Sequence, residues 1–108
     1  MSEKMEVGAA ILTPFLSQYR KSFPLQYSAI QKVPVLLSAY RKKLSRLAPG
    51  KARAVFRLRA ELESAIFCAT ENADSWAPEF RRAAFELRVA LIELQEVERE
   101  AVYLASYQ

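Results

Sequence analysis

The hydrophobic positions in the second half of the chain recur with the spacing of an α-helix. Within residues 51–72, one stripe advances in steps of three and four residues: Val55, Leu58, Leu62, Ala65, Ile66 and Ala69. A similar pattern runs through residues 78–107, and Pro78 suits the first turn of a helix because its missing N–H has no partner there. The pattern therefore predicts two strong helices, over 51–72 and 78–107.

Prolines divide the first half of the chain into shorter apolar segments. Pro24 and Pro34 disfavour helical backbone at the residue before each of them, and Thr13 before Pro14 has the chemistry of a helix N-cap. These signals predict helices over 3–21, kinked or split at Pro14, and over 24–32 and 34–48. The sequence thus predicts an all-α fold, a small helical bundle of four to five helices with a long C-terminal helix. We expect one domain over 1–108, with residues 1–12 as a candidate flexible arm.

The predicted C-terminal helix is apolar on nearly all sides around residues 83–94. A helix of 30 residues is about 45 Å long, so the shorter predicted helices cover only part of it. This mismatch predicts that a protein partner, a second copy of the chain or both pack on this helix. The row expected to bind contains Leu87, Leu91, Leu94, Val97, Ala101 and Leu104.

Composition removes most routes to catalysis. The 108 residues include no histidine and one cysteine, Cys68, so the usual general base and the usual zinc ligands are missing. We therefore expect no enzyme, no catalytic residue, no metal, no cofactor and no small-molecule substrate. No signal peptide and no membrane span is evident, so we expect a cytoplasmic protein without a membrane partner.

Charge is unevenly distributed along the chain. Residues 1–60 contain 12 basic and 2 acidic residues, a net charge of +10, whereas residues 61–108 contain 4 basic and 10 acidic residues, a net charge of −6. The basic region 41–59 is expected to contact a partner through Arg41, Lys42, Lys43, Arg46, Arg53 and Arg57. Three interpretations stay open: pairing with the acidic half, contact with nucleic-acid phosphates, or contact with an acidic protein surface.

Two further features are open to a packing or a binding interpretation. The segment LSQYRK at residues 16–21 returns as LSAYRK at residues 37–42. Each copy fits a leucine–tyrosine pair on one helix face followed by a basic helix end, or a recognition role for Tyr19 and Tyr40. Trp76 fits either a plug at the end of the bundle or an exposed anchor for a partner.

These observations predict a small non-enzymatic helical protein that binds another protein, as an adaptor or as an inhibitor or anti-activator-type regulator. The apolar C-terminal helix would form the contact, and the basic region 41–59 would orient it. The alternative is a nucleic-acid-binding regulator that uses the same basic region.

Overall fold

The computed structural model describes residues 3–107 and contains four α-helices. These are α1, Glu3–Ser17; α2, Pro24–Ser45; α3, Ala52–Ala69; and α4, Pro78–Ala105. A short 3-10 helix, Ala73–Ser75, precedes α4, and no strand occurs within residues 3–107. The predicted all-α fold with a long last helix is confirmed. None of the helices in the described range is both long and apolar enough to cross a membrane.

The four helices form an antiparallel bundle in which each helix packs beside the next one in the chain. Helices α1 and α4 also pack together and close the bundle. Ion pairs between neighbouring helices mark this arrangement: Lys4 Nζ lies 3.2 Å from Glu93 Oε1, and Arg41 Nη1 lies 2.8 Å from Glu6 Oε1. The bundle measures 48 × 22 × 17 Å, so the long axis follows the helices.

Helix α1 continues through Pro14, as the kinked version of the prediction allows. Thr13 is not an N-cap, because it lies inside α1 and its hydroxyl donates a hydrogen bond to the Ala9 carbonyl oxygen at 2.6 Å. The helix ends at Ser17 rather than at residue 21. Phe23 lies outside the helical region, with φ −132° and ψ 62°, at a position where the following proline disfavours helical backbone.

The predicted break at Pro34 is wrong, since α2 is one helix from Pro24 to Ser45. Proline removes one backbone N–H and crowds the preceding turn, which disfavours a helix interior by about 3 kcal/mol. Ile30, Val33 and Leu37 flank the proline and are completely or almost completely buried. Burial of these side chains on both sides of Pro34 offsets the local penalty, so tertiary packing keeps the helix continuous.

The ends of the two strong helices differ slightly from the predicted ends. Helix α3 stops at Ala69 instead of residue 72, and Asn72 then adopts the left-handed conformation with φ 63°. This residue turns the chain into the 3-10 helix because asparagine tolerates positive φ better than most residues. Helix α4 begins at Pro78, as predicted, and ends at Ala105.

The N-terminal segment belongs to the core. Met5, Ala9 and Leu12 are buried in α1, so residues 3–12 are packed helix rather than a flexible arm. The first two residues of that proposed arm lie outside the described residues. Helix α1 covers one flank of α4, which explains why the bundle needs this segment.

Helices α1 and α4 approach each other closely at Gly8. A Cβ atom placed on Gly8 would lie 2.9 Å from Leu87 Cγ and 3.3 Å from the Ala83 carbonyl oxygen. Real Cβ atoms essentially never lie as close as 2.9 Å to another heavy atom. The Ala83 carbonyl oxygen belongs to the backbone, so it cannot rotate away from an added Cβ. The absence of a side chain at residue 8 therefore sets the distance between the two helices.

We expect Gly8→Ala to destabilise the protein by about 1–2 kcal/mol, since overpacking of the α1–α4 contact exceeds the helix-propensity gain of alanine. Ala10 lies exposed on the same helix. Its replacement by glycine, Ala10→Gly, should lose about 0.5–1 kcal/mol from propensity alone. Urea unfolding monitored by circular dichroism measures both values. A Gly8→Ala variant more stable than the wild type would contradict the close contact.

Candidate functional site

The apolar row predicted to bind a partner lies mostly inside the bundle. Leu87, Leu91 and Leu94 are buried core residues, whereas Val97 and Ala101 are half-buried and Leu104 is 56% exposed. Helices α1 and α3 pack along α4, and Tyr40 of α2 reaches Glu98, although each of these helices is shorter than α4. The three leucines are therefore unavailable to a partner, and the predicted binding surface needs correction.

The exposed side of α4 nevertheless carries large apolar groups. Phe85 is 66% exposed and Ile92 is 58% exposed, and Val89 lies half-buried between them. Phe67 of α3 is also exposed, and its ring lies 5.2 Å from the guanidinium carbon of Arg88. We call this set the α3–α4 face: Phe67, Phe85, Arg88, Val89 and Ile92.

Arg88 is held in place within this face. Its Nε donates a hydrogen bond to Thr70 Oγ1 at 3.0 Å, and its Nη2 donates a longer one to the Thr70 carbonyl oxygen at 3.5 Å. The guanidinium also rests over the Phe67 ring, which adds a cation–π contact. These contacts join the end of α3 to α4 and orient Arg88 before any partner arrives.

The basic region 41–59 forms one end of the bundle, where α2 ends and α3 begins. Arg41 pairs with Glu6, and Arg59 pairs with Glu63 and Glu98. The six other basic residues form no ion pair with any residue in 3–107: Lys42, Lys43, Arg46, Lys51, Arg53 and Arg57. Pairing with the acidic half thus accounts for only a small part of this charge.

Four of these unpaired residues surround one groove between the end of α2 and the start of α3. The groove is lined by Lys43, Lys51, Arg53 and Arg57, together with Gly50, Ala54 and Leu58. No acidic side chain within residues 3–107 lines it. Of the basic residues predicted to bind, Lys43, Arg53 and Arg57 are brought together here, while Arg41 is committed to Glu6.

A buried polar network lies where α2, α3 and α4 meet. Glu98 is buried, and its Oε1 accepts a hydrogen bond from the Tyr40 hydroxyl at 3.1 Å. Its Oε2 accepts one from Arg59 Nε at 3.3 Å. Arg59 also reaches Glu63, which accepts a further bond from Gln95. Every partner of the Glu98 carboxylate therefore comes from a different helix, which ties the three helices together.

This network changes the proton affinity of Tyr40. Burial raises the pKa of the Tyr40 hydroxyl well above its usual value near 10, and the Glu98 carboxylate raises it further by charge and by hydrogen bonding. The Arg59 guanidinium acts in the opposite direction but more weakly. The tyrosine therefore remains a protonated donor to Glu98 under all ordinary conditions.

Sequence analysis missed Glu98. It lies four residues after Leu94 and falls on the same apolar row of α4, whereas Glu93, Glu96 and Glu100 lie elsewhere on the helix. A charged residue at a core position signals a buried partner. Helical phase alone would therefore have singled out Glu98, although it could not have identified Tyr40 and Arg59 as its partners.

The two LSxYRK copies have different environments. Both leucines, Leu16 and Leu37, are buried, as the packing interpretation requires. Tyr40 is completely buried, whereas Tyr19 is 46% exposed and contacts the Phe15 ring. The repeat therefore marks two similar helix faces, and its tyrosines have separate roles.

Aromatic side chains gather at the other end of the bundle. Trp76 is half-buried and meets Phe15 edge-on at a centroid distance of 5.1 Å, and Phe15 stacks on Phe80 at 4.0 Å. This geometry agrees with a plug at the bundle end rather than a free anchor. An open cavity lies beside the cluster and is lined by Trp76 as well.

The described residues do not bring together three or more potential metal-ligating side chains of the His, Cys, Asp or Glu type. Glu93 pairs with Lys4. Comparisons with protein-family models, with curated proteins and with solved structures give no match. The function must therefore be argued from the surfaces of this chain alone.

We expect Tyr40→Phe to lower the free energy of unfolding by about 2 kcal/mol at neutral pH, because it removes a hydrogen bond to a buried carboxylate.

The pH dependence of the free energy of unfolding provides a second test of the Tyr40–Glu98 contact. The pKa of Tyr40 is higher in the folded than in the unfolded state, so unfolding releases its proton above pH ~10 and stability falls as pH rises through that range.

Urea unfolding at several pH values between 8 and 11, on the wild type and on Tyr40→Phe, measures this effect. The variant should lack the tyrosine part of the alkaline loss, so the stability difference between the two proteins should shrink as pH rises. Tyr19→Phe changes an exposed tyrosine and should stay within about 0.5 kcal/mol of the wild type at each pH. An unchanged difference up to pH 11 would contradict the buried contact with Glu98.

Proposed function

We propose that this chain is a small non-enzymatic helical protein that binds another protein, as an adaptor or as an inhibitor or anti-activator-type regulator. One observation carries the proposal: the α3–α4 face stays exposed although the bundle has a complete core. Scattered exposed apolar residues are normal on a soluble protein. A contiguous set with aromatic rings and an ordered arginine is typical of an interaction surface.

The chemistry of the α3–α4 face suits a protein partner. Phe67 and Phe85 supply large apolar area with few rotatable bonds, so a complex would lose little side-chain entropy in fixing them. Arg88 is already held by Thr70 and Phe67, which reduces the entropy loss for this long side chain as well. The face can therefore bind without rearrangement of the bundle.

The basic region 41–59 favours a partner that presents an acidic surface. Arg57, one of its unpaired charges, lies on α3 ten residues before Phe67, or roughly 15 Å along the helix axis. A partner that covers the α3–α4 face and extends along α3 would reach Arg57. Opposite charge at that position would speed the encounter and set the orientation more than it would add affinity.

The charges on α4 also permit a second copy as the partner. The first half of α4 contains Arg81, Arg82 and Arg88 with Glu79 and Glu86, and the second half contains Glu93, Glu96, Glu98 and Glu100 with Arg99. Two α4 helices that cross antiparallel at the α3–α4 face would bring the three arginines of each copy toward the acidic second half of the other copy. Homodimer formation is thus one form of the same proposal.

We expect the double variant Phe85→Gln/Ile92→Gln to weaken the protein–protein complex at least about tenfold, because these two side chains supply the largest exposed apolar fractions of the face. The bundle itself should keep its stability within about 1 kcal/mol, since both positions are largely exposed. Sedimentation velocity of the purified chain reports on the homodimer. Affinity capture from native lysate, followed by binding measurements with each captured protein, reports on an unlike partner.

The matched control is Leu25→Gln/Val35→Gln, which removes two similarly exposed apolar side chains from the outer side of α2. This control should bind like the wild type. The proposal fails if the α4 double variant binds as tightly as the control, or if the wild type neither dimerises nor binds a captured protein.

A second candidate function rests on the basic groove. Four unpaired cations around one groove, with no acid among the lining residues, form a surface that can follow nucleic-acid phosphates. This surface supports a nucleic-acid-binding regulator as the alternative. It does not use the α3–α4 face, so the two candidates can be separated by mutation.

We expect a gel-shift assay on this alternative to give strong salt dependence. Neutralising four phosphates predicts a loss of affinity of roughly 100-fold between 50 and 200 mM salt. Lys51→Glu/Arg53→Glu should abolish such binding, while Phe85→Gln/Ile92→Gln should leave it intact. The absence of any shift with DNA or RNA at 50 mM salt would remove the nucleic-acid alternative.

A further inference from the structure

An open cavity lies at the end of the bundle where α1 finishes and α4 begins. Its volume is about 560 Å³, within the range of pockets that hold small molecules. Five aromatic side chains from separate segments line it: Phe15, Tyr19, Phe23, Trp76 and Phe80. The cavity brings residues 15–23 together with residues 76–80, and these two segments meet only in the folded chain.

The aromatic wall is fixed by its own contacts. Phe15 lies at the centre, stacked on Phe80 and in edge contact with Trp76 and, at 5.5 Å between centroids, with Tyr19. Phe23 belongs to no such ring pair and is 49% exposed at the rim of the cavity. The inner wall is therefore preformed, while Phe23 supplies exposed apolar area to a bound molecule.

The polar groups of the cavity are all uncharged: Gln18, Gln26, Asn72 and Ser75. Gln26 is more than nine-tenths buried, and its Nε2 donates a hydrogen bond to the Glu71 carbonyl oxygen at 2.7 Å. Its Oε1 accepts no hydrogen bond from the described part of the chain. A buried amide thus leaves one acceptor oxygen open at an aromatic cavity.

The absence of charge in the lining restricts the ligand. Aromatic rings attract cations, but no carboxylate is among the lining residues. The chain neighbours of the lining carry both signs: Arg20 and Lys21 follow Tyr19, and Glu71, Asp74 and Glu79 precede Asn72, Ser75 and Phe80. An anion would find no basic side chain in the lining, and desolvating it would be unfavourable. Flat aromatic walls and one open acceptor favour an uncharged planar group that carries a hydrogen-bond donor.

We propose that this end cavity binds a small, uncharged, planar aromatic molecule with an O–H or N–H donor, which bonds to Gln26 Oε1. The molecule is a ligand and no reaction is assigned to it. The site is separate from the α3–α4 face and from the basic groove. The proposal is therefore independent of the proposed function, and either can fail alone.

The test uses the full chain labelled with ¹⁵N and 2-naphthol as the probe, followed by two-dimensional NMR. Trp76 is the only tryptophan, so its indole N–H gives one resolved signal at the cavity wall. We expect saturable shifts of this signal and of the Asn72 and Ser75 amides, with a submillimolar dissociation constant. No saturable shift at Trp76 would overturn the proposal.

Ligand chemistry supplies the second arm. 2-Methoxynaphthalene lacks the donor and should bind several-fold more weakly, and the charged analogues 2-naphthoate and 2-naphthylmethylammonium should bind at least tenfold more weakly. Equal binding by either charged analogue would overturn the proposal. Binding of N-acetylphenylalanine amide without binding of 2-naphthol would also overturn it, because the cavity would then fit an aromatic side chain of a protein partner.

Matched variants supply the third arm. Phe23→Ala should weaken 2-naphthol binding at least fivefold and leave the rest of the spectrum unchanged, since Phe23 lies at the rim. Phe56→Ala removes a similarly exposed phenylalanine from α3, outside the cavity, and should bind like the wild type. Equal loss in both variants, or no loss in Phe23→Ala, would contradict binding at this cavity.

Discussion

The bundle depends on the contact between α1 and α4. Helix α4 has a row of buried leucines that α2 and α3 alone cannot enclose, and α1 closes the remaining side. That closure requires glycine at residue 8, because a side chain there would push α1 away from Leu87 and Ala83. A short N-terminal helix that contains Pro14 is thus as important to the core as the two strong helices are.

The sequence predicts some elements of this fold better than others. The prediction succeeds where a local pattern and burial agree, and it fails where burial overrides a local rule. Helical phase in α3 and α4 is a local property that burial reinforces, so both helices occur within three residues of their predicted ends. The break predicted at Pro34 relied on a local rule, and long-range burial of Ile30, Val33 and Leu37 overrode it. The start of α2 at Pro24 followed the same rule and was predicted correctly, although α1 ends at Ser17, four residues before its predicted end.

The candidate binding surfaces could be predicted less well than the fold. Apolar periodicity identifies α4 as a helix that needs cover, but it does not show which side its neighbours occupy. Leu87, Leu91 and Leu94 therefore seemed available for binding, whereas Phe85 and Ile92 are the residues left outside. The basic surface is easier to predict, because lysines and arginines stay at the surface in almost any fold. Lys43, Arg53 and Arg57 do line one groove. The aromatic end cavity depends on contacts between distant segments, which one sequence cannot reveal.

The carboxylate of Glu98 also determines how far α4 can slide within the bundle. Tyr40 and Arg59 approach it from two other helices, so all three residues must lie at one level along the long axis. A shift of α4 by one turn, about 5.4 Å, would keep many leucines buried. The same shift would move the Glu98 carboxylate out of reach of Tyr40 and Arg59 and leave a charge without hydrogen-bond donors. Leucine contacts alone would tolerate such slippage. Glu98 thus distinguishes the native alignment of α4 from alignments that are shifted by one helical turn.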